Sequence, residues 1–286
     1  MPGESPPPVA DRDCVAFLQW ALPRVGMRWR GFRRVRRQVC KRLKGRLAEL
    51  GLPDLAAYRA YLVTHPGEWR ELEWRCPITI SRFYRDQGVF GALGEAVLPA
   101  LARAATTAGR PAVRAWSVGC ASGEEPYSLV LAWCLGGGHG DSGRSLAVLG
   151  TDIDPVLLAR ARRGCYPEAA LRELPAAWRR QAFRQAGEEH CLRAEYQAPV
   201  TFRQQDVRRA APEGPFDLIL CRNLVLTYFQ PEGQRRLLAT LGGVLREGGA
   251  LVIGAQEALP SGDGGWTAWP GARAVFRKGP RAPAPT

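Results

Sequence analysis

The sequence predicts an α/β fold in which a doubly wound, mostly parallel sheet follows a small all-α N-terminal region. Apolar runs of strand length recur along the chain, at 112–118, 146–154, 216–223 and 250–255. Between the last two runs, leucines repeat at helical spacing, at positions 237, 238, 241 and 245. Strands that alternate with helices form parallel sheets covered on both faces. Ligands of such sheets collect at the carboxyl ends of the strands.

A glycine loop joins the first predicted strand to a helix. Gly119 and Gly123 allow close backbone approach, and Pro126 can occupy a first helical turn. Such a loop leaves backbone N–H groups that can point at a ligand. Its spacing is not G-x-G-x-x-G and no Gly-Lys-Ser/Thr follows, which argues against hydride transfer and against a phosphate loop. Glu124 and Glu125 would repel a polyphosphate but suit an ammonium group, such as the methionine end of S-adenosylmethionine.

The second predicted strand ends in an acid, Asp152. An acid at this place can accept hydrogen bonds from the two hydroxyls of a ribose. It lies 29 residues after Gly123, more than the usual interval of about 20, and the glycine-rich segment 136–144 accounts for the excess as a loop. The alternative is that Asp152 caps the helix that begins near Pro155, a role that Asp154 could fill equally well.

Length and composition set limits on the class of protein. A chain of 286 residues suits two domains. Its eight cysteines form no C-x-x-C pair and only three histidines accompany them, which argues against zinc and disulfide frameworks and favours a reducing cytoplasm. No signal peptide or membrane span is visible in the sequence. The proline-rich ends, 1–10 and 279–286, are expected to be disordered.

The region 11–75 is expected to form a separate helical domain with an unusually basic helix at 29–49. An apolar stripe marks its buried face: Trp29, Phe32, Val35, Val39, Leu43 and Leu47. Between Arg24 and Arg46 there are eleven basic residues, and no acid occurs between Asp13 and Glu49. This surface is either a solvated face or a platform for an acidic partner, with nucleic acid as the competing partner to protein.

Four segments, in this order, resemble the CheR-type chemotaxis methyltransferases. They read WSVGCASGEEPYSL, TDIDPVLLARARRGCY, FDLILCRN and IGAQE. The resemblance covers the chain from about Asp13 to Lys278 and implies a seven-stranded Rossmann-like methyltransferase sheet at 76–278, including the linker. It also implies S-adenosylmethionine as cofactor, S-adenosylhomocysteine as product, no metal, and transfer of the methyl group to glutamate side chains of receptors.

The resemblance assigns roles to particular residues. In the linker CPITISRFYRD, the family pattern implies that Thr79, Ser81 and Arg85 contact the cofactor and the methyl-accepting site; a helix capped by Ser81 would put Ser81 and Arg85 on one face. Catalytic roles fall to Arg85 and Tyr228. The remaining cofactor-binding residues are expected to be Gly119, Glu124, Asp152, Asp206, Val207, Asn223 and Leu224.

Each of three assignments has a simpler alternative. Arg85 could be a surface arginine that pairs with Asp86 or Glu95. Asp206, expected to accept from the adenine amino group, could cap its loop. Tyr228 could anchor the helix that begins near Pro231.

The sequence also departs from the family pattern at three places. Four residues separate Asn223 from Tyr228 where the family commonly has three, and Gly254-Ala255-Gln256-Glu257 stands where Gly-His-Ser-Glu is common. The small β-subdomain, expected at about 178–200, looks short and lacks an obvious glycine-rich turn, so we do not expect tethering through a receptor tail peptide. Two alternatives stay open: a methyltransferase of the same fold that acts on a small molecule or nucleic acid, and a cofactor-binding regulatory module without turnover.

Overall fold

The computed structural model describes most of the chain, in four stretches: residues 11–76, 78–139, 143–260 and 265–279. The predicted disordered tails, 1–10 and 279–286, fall outside the described residues apart from Gly279.

The chain divides into two compact units. The first, called the helical unit here, comprises Met1–Ile80 together with Thr227–Gly233. The second, the sheet unit, comprises Ser81–Leu226 and Gln234–Thr286. The short segment Thr227–Gly233, which contains Tyr228, therefore belongs with the N-terminal residues although it lies far along the chain.

Five helices from the N-terminal part of the chain form most of the helical unit. They are α1 (Asp11–Ala21), α2 (Trp29–Phe32), α3 (Arg36–Leu50), α4 (Leu55–Thr64) and α5 (Glu68–Arg75). Asp54 begins α4 by accepting a hydrogen bond from the Ala57 backbone N–H at 2.8 Å, as an N-cap residue does. The buried carboxylate of Glu68 accepts hydrogen bonds from Arg46 Nη2 and Tyr58 Oη, each at 2.7 Å, so this charge is fully compensated.

The single basic helix expected at 29–49 is in fact two helices, α2 and α3, separated by a turn at 33–35. Val35 has φ −105° and ψ 5°, which interrupts the helical backbone. The apolar stripe is correct in its main members, because Phe32, Val39, Leu43 and Leu47 are buried. The residue before α2 is also bonded to a distant segment, since the Arg28 backbone N–H donates to the Tyr228 carbonyl at 2.9 Å.

The expectation that the chain has no disulfides is wrong. Cys14 of α1 is bonded to Cys40 of α3 with their Cα atoms 6.1 Å apart, and Cys165 is bonded to Cys191 with their Cα atoms 3.9 Å apart. Both pairs are 26 residues apart in sequence, a spacing that matches no short cysteine motif. The cysteine pattern therefore gives no support for a reducing compartment.

The sheet unit contains the predicted seven-stranded sheet, with strand order β6-β2-β1-β7-β8-β10-β9. Its strands are β1 (Ala112–Val118), β2 (Ser145–Asp152), β6 (Val200–Gln204), β7 (Phe216–Leu220), β8 (Leu245–Val252), β9 (Trp266–Ala268) and β10 (Val275–Lys278). The pairs among β6, β2, β1, β7 and β8 are all parallel, and β10 runs antiparallel to both neighbours. The mostly parallel, Rossmann-like sheet is thus confirmed. The strand order reverses at β1 and β7, which is where such sheets bind ligands.

Six further helices lie wholly or partly in the sheet unit. They are α6 (Gln87–Ala92), α7 (Leu98–Thr107), α8 (Glu124–Leu135), α9 (Pro155–Arg163), α12 (Val225–Tyr228) and α13 (Pro231–Val244). A π-helical turn, Leu93–Val97, joins α6 to α7. The run Gln87–Thr107 is the one helix among the described residues that is long and apolar enough to cross a membrane by length and composition, and half of its most apolar window is buried inside the protein. Phe90, Leu93 and Leu101 of this run belong to the main hydrophobic core, as expected for a core helix.

A separate three-stranded sheet has the order β3-β5-β4. Its strands are β3 (Cys165–Pro167), β4 (Phe183–Ala186) and β5 (Glu189–Leu192), and α10 (Ala176–Ala182) and α11 (Ala194–Gln197) accompany them. This small sheet starts at Cys165, ahead of the range 178–200 expected for a β-subdomain, because β3 pairs with β5 from a distance. Gly187, at φ 62°, provides the turn between β4 and β5 that the sequence did not make obvious.

Candidate active site

The loop after β1 is tied to the end of β2. The backbone N–H groups of Gly119 and Cys120 both donate to the Thr151 carbonyl, at 2.8 and 2.9 Å. The Ala121 N–H donates to Asp152 Oδ2 at 2.8 Å. The expectation that this loop presents free backbone donors is therefore wrong at these three positions, because the neighbouring parallel strand already uses them.

Close packing explains why glycine stands at the start of this loop. Gly119 has φ 68°, in the left-handed region. A Cβ at this position would lie 2.7 Å from Cδ2 of Leu224, which follows β7. Gly119 and Leu224, both predicted to bind the cofactor, are thus brought together at the point where the strand order reverses.

The two acids after β2 have different roles. Asp154 caps α9, because its Oδ1 accepts from the backbone N–H groups of Val156 and Leu157 at 2.8 and 3.3 Å. Asp152 does not cap that helix: besides Ala121 it accepts from the Asp154 N–H at 3.0 Å. Burial raises the pKa of the Asp152 carboxyl. The capping alternative thus applies to Asp154, and the ribose role of Asp152 stays a prediction.

Glu124, at the start of α8, is a buried carboxylate with one unsatisfied oxygen. Its Oε1 accepts a hydrogen bond from the Ser122 hydroxyl at 3.0 Å, and the Ser81 side chain lies close enough to favour the charged form of the carboxyl. Among the described residues, Oε2 has no hydrogen-bond partner. Burial raises the pKa of this carboxyl, and the side chains of Ser81 and Ser122 oppose the shift. A buried acceptor without a partner is costly, so this oxygen is suited to a ligand donor.

Ser81 reaches Glu124 without the helix that the sequence suggested. The chain is irregular from Ile78 to Arg82, and α6 begins only at Gln87. The interpretation of Ser81 as a helix cap, with Arg85 one turn later on the same face, is therefore wrong. The Ser81 side chain instead lies near Glu124, at the far end of the glycine loop, where it favours the charged form of that carboxyl.

A buried arginine that we did not predict, Arg222, lies directly after β7. Its Nη1 donates to Glu125 Oε2 at 3.0 Å, and its Nη2 donates to Asp86 Oδ2 at 2.7 Å and to the Arg85 carbonyl at 2.8 Å. Its Nε is buried and has no partner among the described residues. The signal in the sequence was a charged residue, Arg222, directly after the apolar run LILC.

The turn after Arg222 is held by Glu257, a second residue that we did not single out. Asn223 has φ 54°, and its backbone N–H donates to Glu257 Oε2 at 2.9 Å. The Gly254 N–H donates to the same oxygen at 2.7 Å. Although Gln256 stands where the family commonly has serine, the glutamate of that pattern is present and orders the turn that carries Asn223 and Leu224.

Comparison with known proteins places this site in a family. The model of the CheR methyltransferase S-adenosylmethionine-binding domain matches residues 79–273. The chain belongs to this family. A probable chemotaxis protein methyltransferase of Rhizobium etli is 34% identical over 228 residues, covering 77% of this chain and 83% of that protein.

Other curated relatives are matched over less of their length. A chemotaxis protein methyltransferase of Listeria innocua is 36% identical over 184 residues, which are 64% of this chain and 66% of that protein. An uncharacterized 104.1 kDa protein of Rhodobacter capsulatus is 31% identical over 222 residues, which are 77% of this chain but 23% of that protein. The chain thus spans less than two thirds of these two relatives.

The matched CheR region contains every residue that the sequence assigned to the site. These residues do not all belong to the same unit. Thr79 and Tyr228 belong to the helical unit, and the others belong to the sheet unit. Arg85 is half-buried, and its expected neighbour Asp86 is engaged by Arg222. The role of Arg85 in holding an acceptor carboxylate stays a prediction.

Asp206 is engaged by neighbouring arginines. Its Oδ1 accepts from the backbone N–H of Arg208 at 3.0 Å and from the Nε of that residue at 2.8 Å, and its Oδ2 accepts from Nη2 at 2.8 Å. The capping alternative for this acid describes part of what it does. A contact of Asp206 and Val207 with adenine stays a prediction. Among the described residues, no group of three or more potential ligands could hold a metal ion.

Proposed function

We propose that this protein transfers the methyl group of S-adenosylmethionine to glutamate carboxylates on an acidic protein substrate resembling the methylation helices of chemoreceptors. The supporting observation is a pair of buried, unsatisfied polar atoms in the sheet unit: the acceptor Glu124 Oε2 and the donor Arg222 Nε. The methionine end of the cofactor carries an ammonium group and a carboxylate. These are the two charges that an unpaired acceptor and an unpaired donor would bind.

The remaining site residues have complementary tasks. Bound S-adenosylmethionine supplies a methyl group activated by a positively charged sulfur. Ser81 and Ser122 orient the Glu124 carboxylate toward the ammonium group, and Asp152 accepts from the ribose hydroxyls. Gly119, Asn223 and Leu224 belong to the turns that hold the cofactor, and Asp206 and Val207 are assigned to the adenine. The family resemblance assigns Thr79 to the cofactor as well.

The acceptor chemistry makes few demands on the protein. A glutamate carboxylate is ionised near neutral pH, so no general base is needed to remove a proton. What is required is positioning and partial desolvation of the attacking oxygen. The Arg85 guanidinium can hold the acceptor carboxylate in a two-point geometry, and the Tyr228 hydroxyl can orient its oxygen.

An acidic partner is supported by the charge of the helical unit. Six basic side chains of α2, α3 and the turn between them have no acidic partner in the described part of the chain: Arg30, Arg33, Arg34, Arg37, Lys41 and Lys44. Other arginines nearby do have one, since Arg36 pairs with Asp11 and Arg46 with Glu68. Unpaired cations of one sign attract an anionic partner over about a Debye length. A cytoplasmic location is part of this proposal.

The test is transfer of a labelled methyl group to a defined acceptor. The chain is incubated with methyl-labelled S-adenosylmethionine and an acidic helical peptide that carries several glutamates, and the matched control is the same peptide with glutamine at those positions. We expect label on the glutamate peptide that mild base releases as methanol. Base-stable label, or label on added RNA but on neither peptide, would contradict a carboxyl ester.

Arg85 provides a second test of the same proposal. We expect Arg85→Ala to lower kcat while the affinity for S-adenosylmethionine changes little, because the guanidinium acts on the acceptor. Tight donor binding by the native chain without any transfer would indicate the regulatory module instead of the enzyme.

A further inference from the structure

The segment Thr227–Gly233 is held by the loop and helix that precede it by about two hundred residues. The Arg28 backbone N–H donates to the Tyr228 carbonyl at 2.9 Å, and the Gln230 N–H donates to the Gly26 carbonyl at 2.9 Å. Between these bonds, Met27 and Phe229 form an antiparallel β-bridge. The Arg28 side chain adds a hydrogen bond from Nε to the Thr227 carbonyl at 3.1 Å.

Tyr228 is fixed from two sides within the helical unit. Its ring centroid lies 4.7 Å from that of Phe32, with an interplanar angle of 42°, a packed aromatic geometry. Its hydroxyl donates to the Ile78 carbonyl at 3.3 Å. The side chain is 7% exposed and Phe32 is fully buried. The position of this ring is therefore set by α2 and by the residue just before Thr79.

Gly31 makes this close approach possible. A Cβ at Gly31 would overlap the carbonyl oxygen of Thr227 and would lie 3.0 Å from its carbonyl carbon and 3.3 Å from the Tyr228 Cα. These neighbours are backbone atoms, which cannot turn aside as the end of a flexible side chain can. Any larger residue at this position must push the 227–228 backbone away from α2.

We propose that Gly31 and Phe32 are positioning residues for methyl transfer, which act by seating Tyr228 against α2. The proposal rests on the proposed function, in which the Tyr228 hydroxyl orients the acceptor oxygen. It also explains why one extra residue between Asn223 and Tyr228 can be tolerated. Contacts with α2 fix the position of the tyrosine, so this position does not depend on the number of residues after β7. A displacement of about 1 Å at such a residue can lower turnover about 100-fold.

The experiment compares Gly31→Ala with Gly67→Ala. Gly67 belongs to the same unit, has φ −65°, and a Cβ there meets nothing within 4 Å, so it is a matched control. We expect Gly31→Ala to lower kcat about 100-fold, with the affinity for S-adenosylmethionine measured by calorimetry unchanged. Gly67→Ala should leave both quantities within about twofold of the native values.

The double variant Gly31→Ala/Tyr228→Phe distinguishes a positioning effect on the tyrosine from a general loss of structure. If Gly31→Ala acts through the tyrosine hydroxyl, it should change kcat by no more than about twofold once that hydroxyl has been removed. An undiminished loss in the Tyr228→Phe background would overturn the proposal, and so would native turnover in Gly31→Ala itself. Phe32→Leu, which keeps an apolar side chain but removes the ring, should show the same pattern if Gly31→Ala fails to fold.

Hydrogen exchange tests the seating without any acceptor. In Gly31→Ala, protection of the Arg28 and Gln230 amides should fall while strands β1 and β7 keep theirs. Unchanged protection at both amides would overturn the seating. Absence of transfer by the native chain would instead refute the proposed function, and it can be told apart because native exchange would still report Tyr228 as seated.

Discussion

Arg222 and Glu125 form an ion pair at 3.0 Å across the carboxyl ends of β7 and β1. The guanidinium is 2% exposed and also pairs with Asp86 at 2.7 Å, so it joins the linker to the first turn of α8. The hydroxyl of Ser117, on β1, donates to the other oxygen of Glu125 at 2.7 Å. This network orders the side of the site on which the sequence placed the methionine end of the cofactor.

Removal of Arg222 should destabilise the fold strongly. Arg222→Ala leaves Glu125 as a largely buried charge without its partner, and breaking such a pair costs about 3–5 kcal/mol. The free energy of unfolding from urea titration checks this. Arg209→Ala is the control, because the Arg209 side chain is 76% exposed and its loss should cost less than about 0.5 kcal/mol. Similar stability of the two variants would show that the network contributes little.

Substitutions at Asp152 and Asp154 should have different effects, the first on cofactor binding and the second on the stability of α9. We expect Asp152→Ala to weaken binding of S-adenosylmethionine about tenfold or more, since a hydrogen bond to a charged group contributes about 1.5–3 kcal/mol. Asp154→Ala removes the cap of α9 and should cost about 1 kcal/mol of stability with donor affinity retained. Calorimetric titration and thermal unfolding measure the two effects. Equal donor affinity in Asp152→Ala and the native chain would show that the ribose has been misplaced.

Glu124 should make both stability and donor binding depend on pH. Burial raises its pKa above the ordinary value of 4.5, so the folded state favours the protonated form. Its contribution to the free energy of unfolding is then fully present below pH 4.5 and is lost as pH rises through the raised pKa. Binding of the cofactor ammonium group needs the ionised form, so donor affinity should rise over the same interval.

Glu124→Gln has no charge to titrate and provides the comparison. We expect weaker donor binding than in the native chain at high pH, with no rise across the interval that begins at pH 4.5. Calorimetry at a series of pH values measures this, and urea titration at the same values follows stability. A parallel pH profile in Glu124→Gln and the native chain would assign the titration to another group, such as Asp152, whose pKa burial also raises.

The two disulfides determine how many free thiols the protein should contain. Cys14–Cys40 and Cys165–Cys191 leave four free cysteines, at 76, 120, 134 and 221. Alkylation after unfolding without a reductant should therefore add four groups by intact mass, and prior reduction should raise the number to eight, the cysteine content of the chain. Addition of eight groups without reduction would show that neither pair is oxidised in the isolated protein.

Much of the sheet unit could be predicted from local patterns in the sequence. The apolar runs and the intervening leucine spacing identified the parallel strands and α13, and the glycine loop indicated the edge of the sheet where a ligand binds. The conformation of Gly119 and the burial of Glu124 follow from their places in that loop. Asp152 was correctly placed at the end of β2, although sequence alone could not tell it from Asp154 as the helix cap.

The partners of these residues were decided only by tertiary structure. The Arg222 guanidinium meets Asp86 and Glu125, and Gly31 meets Thr227, because the fold brings together segments that are far apart in the chain. The same holds for the two disulfides. Periodicity reports which face of one element is apolar, since that depends on neighbours within a few residues. It carries no information on which distant backbone comes close enough to exclude a side chain, and that proximity is what positions Tyr228.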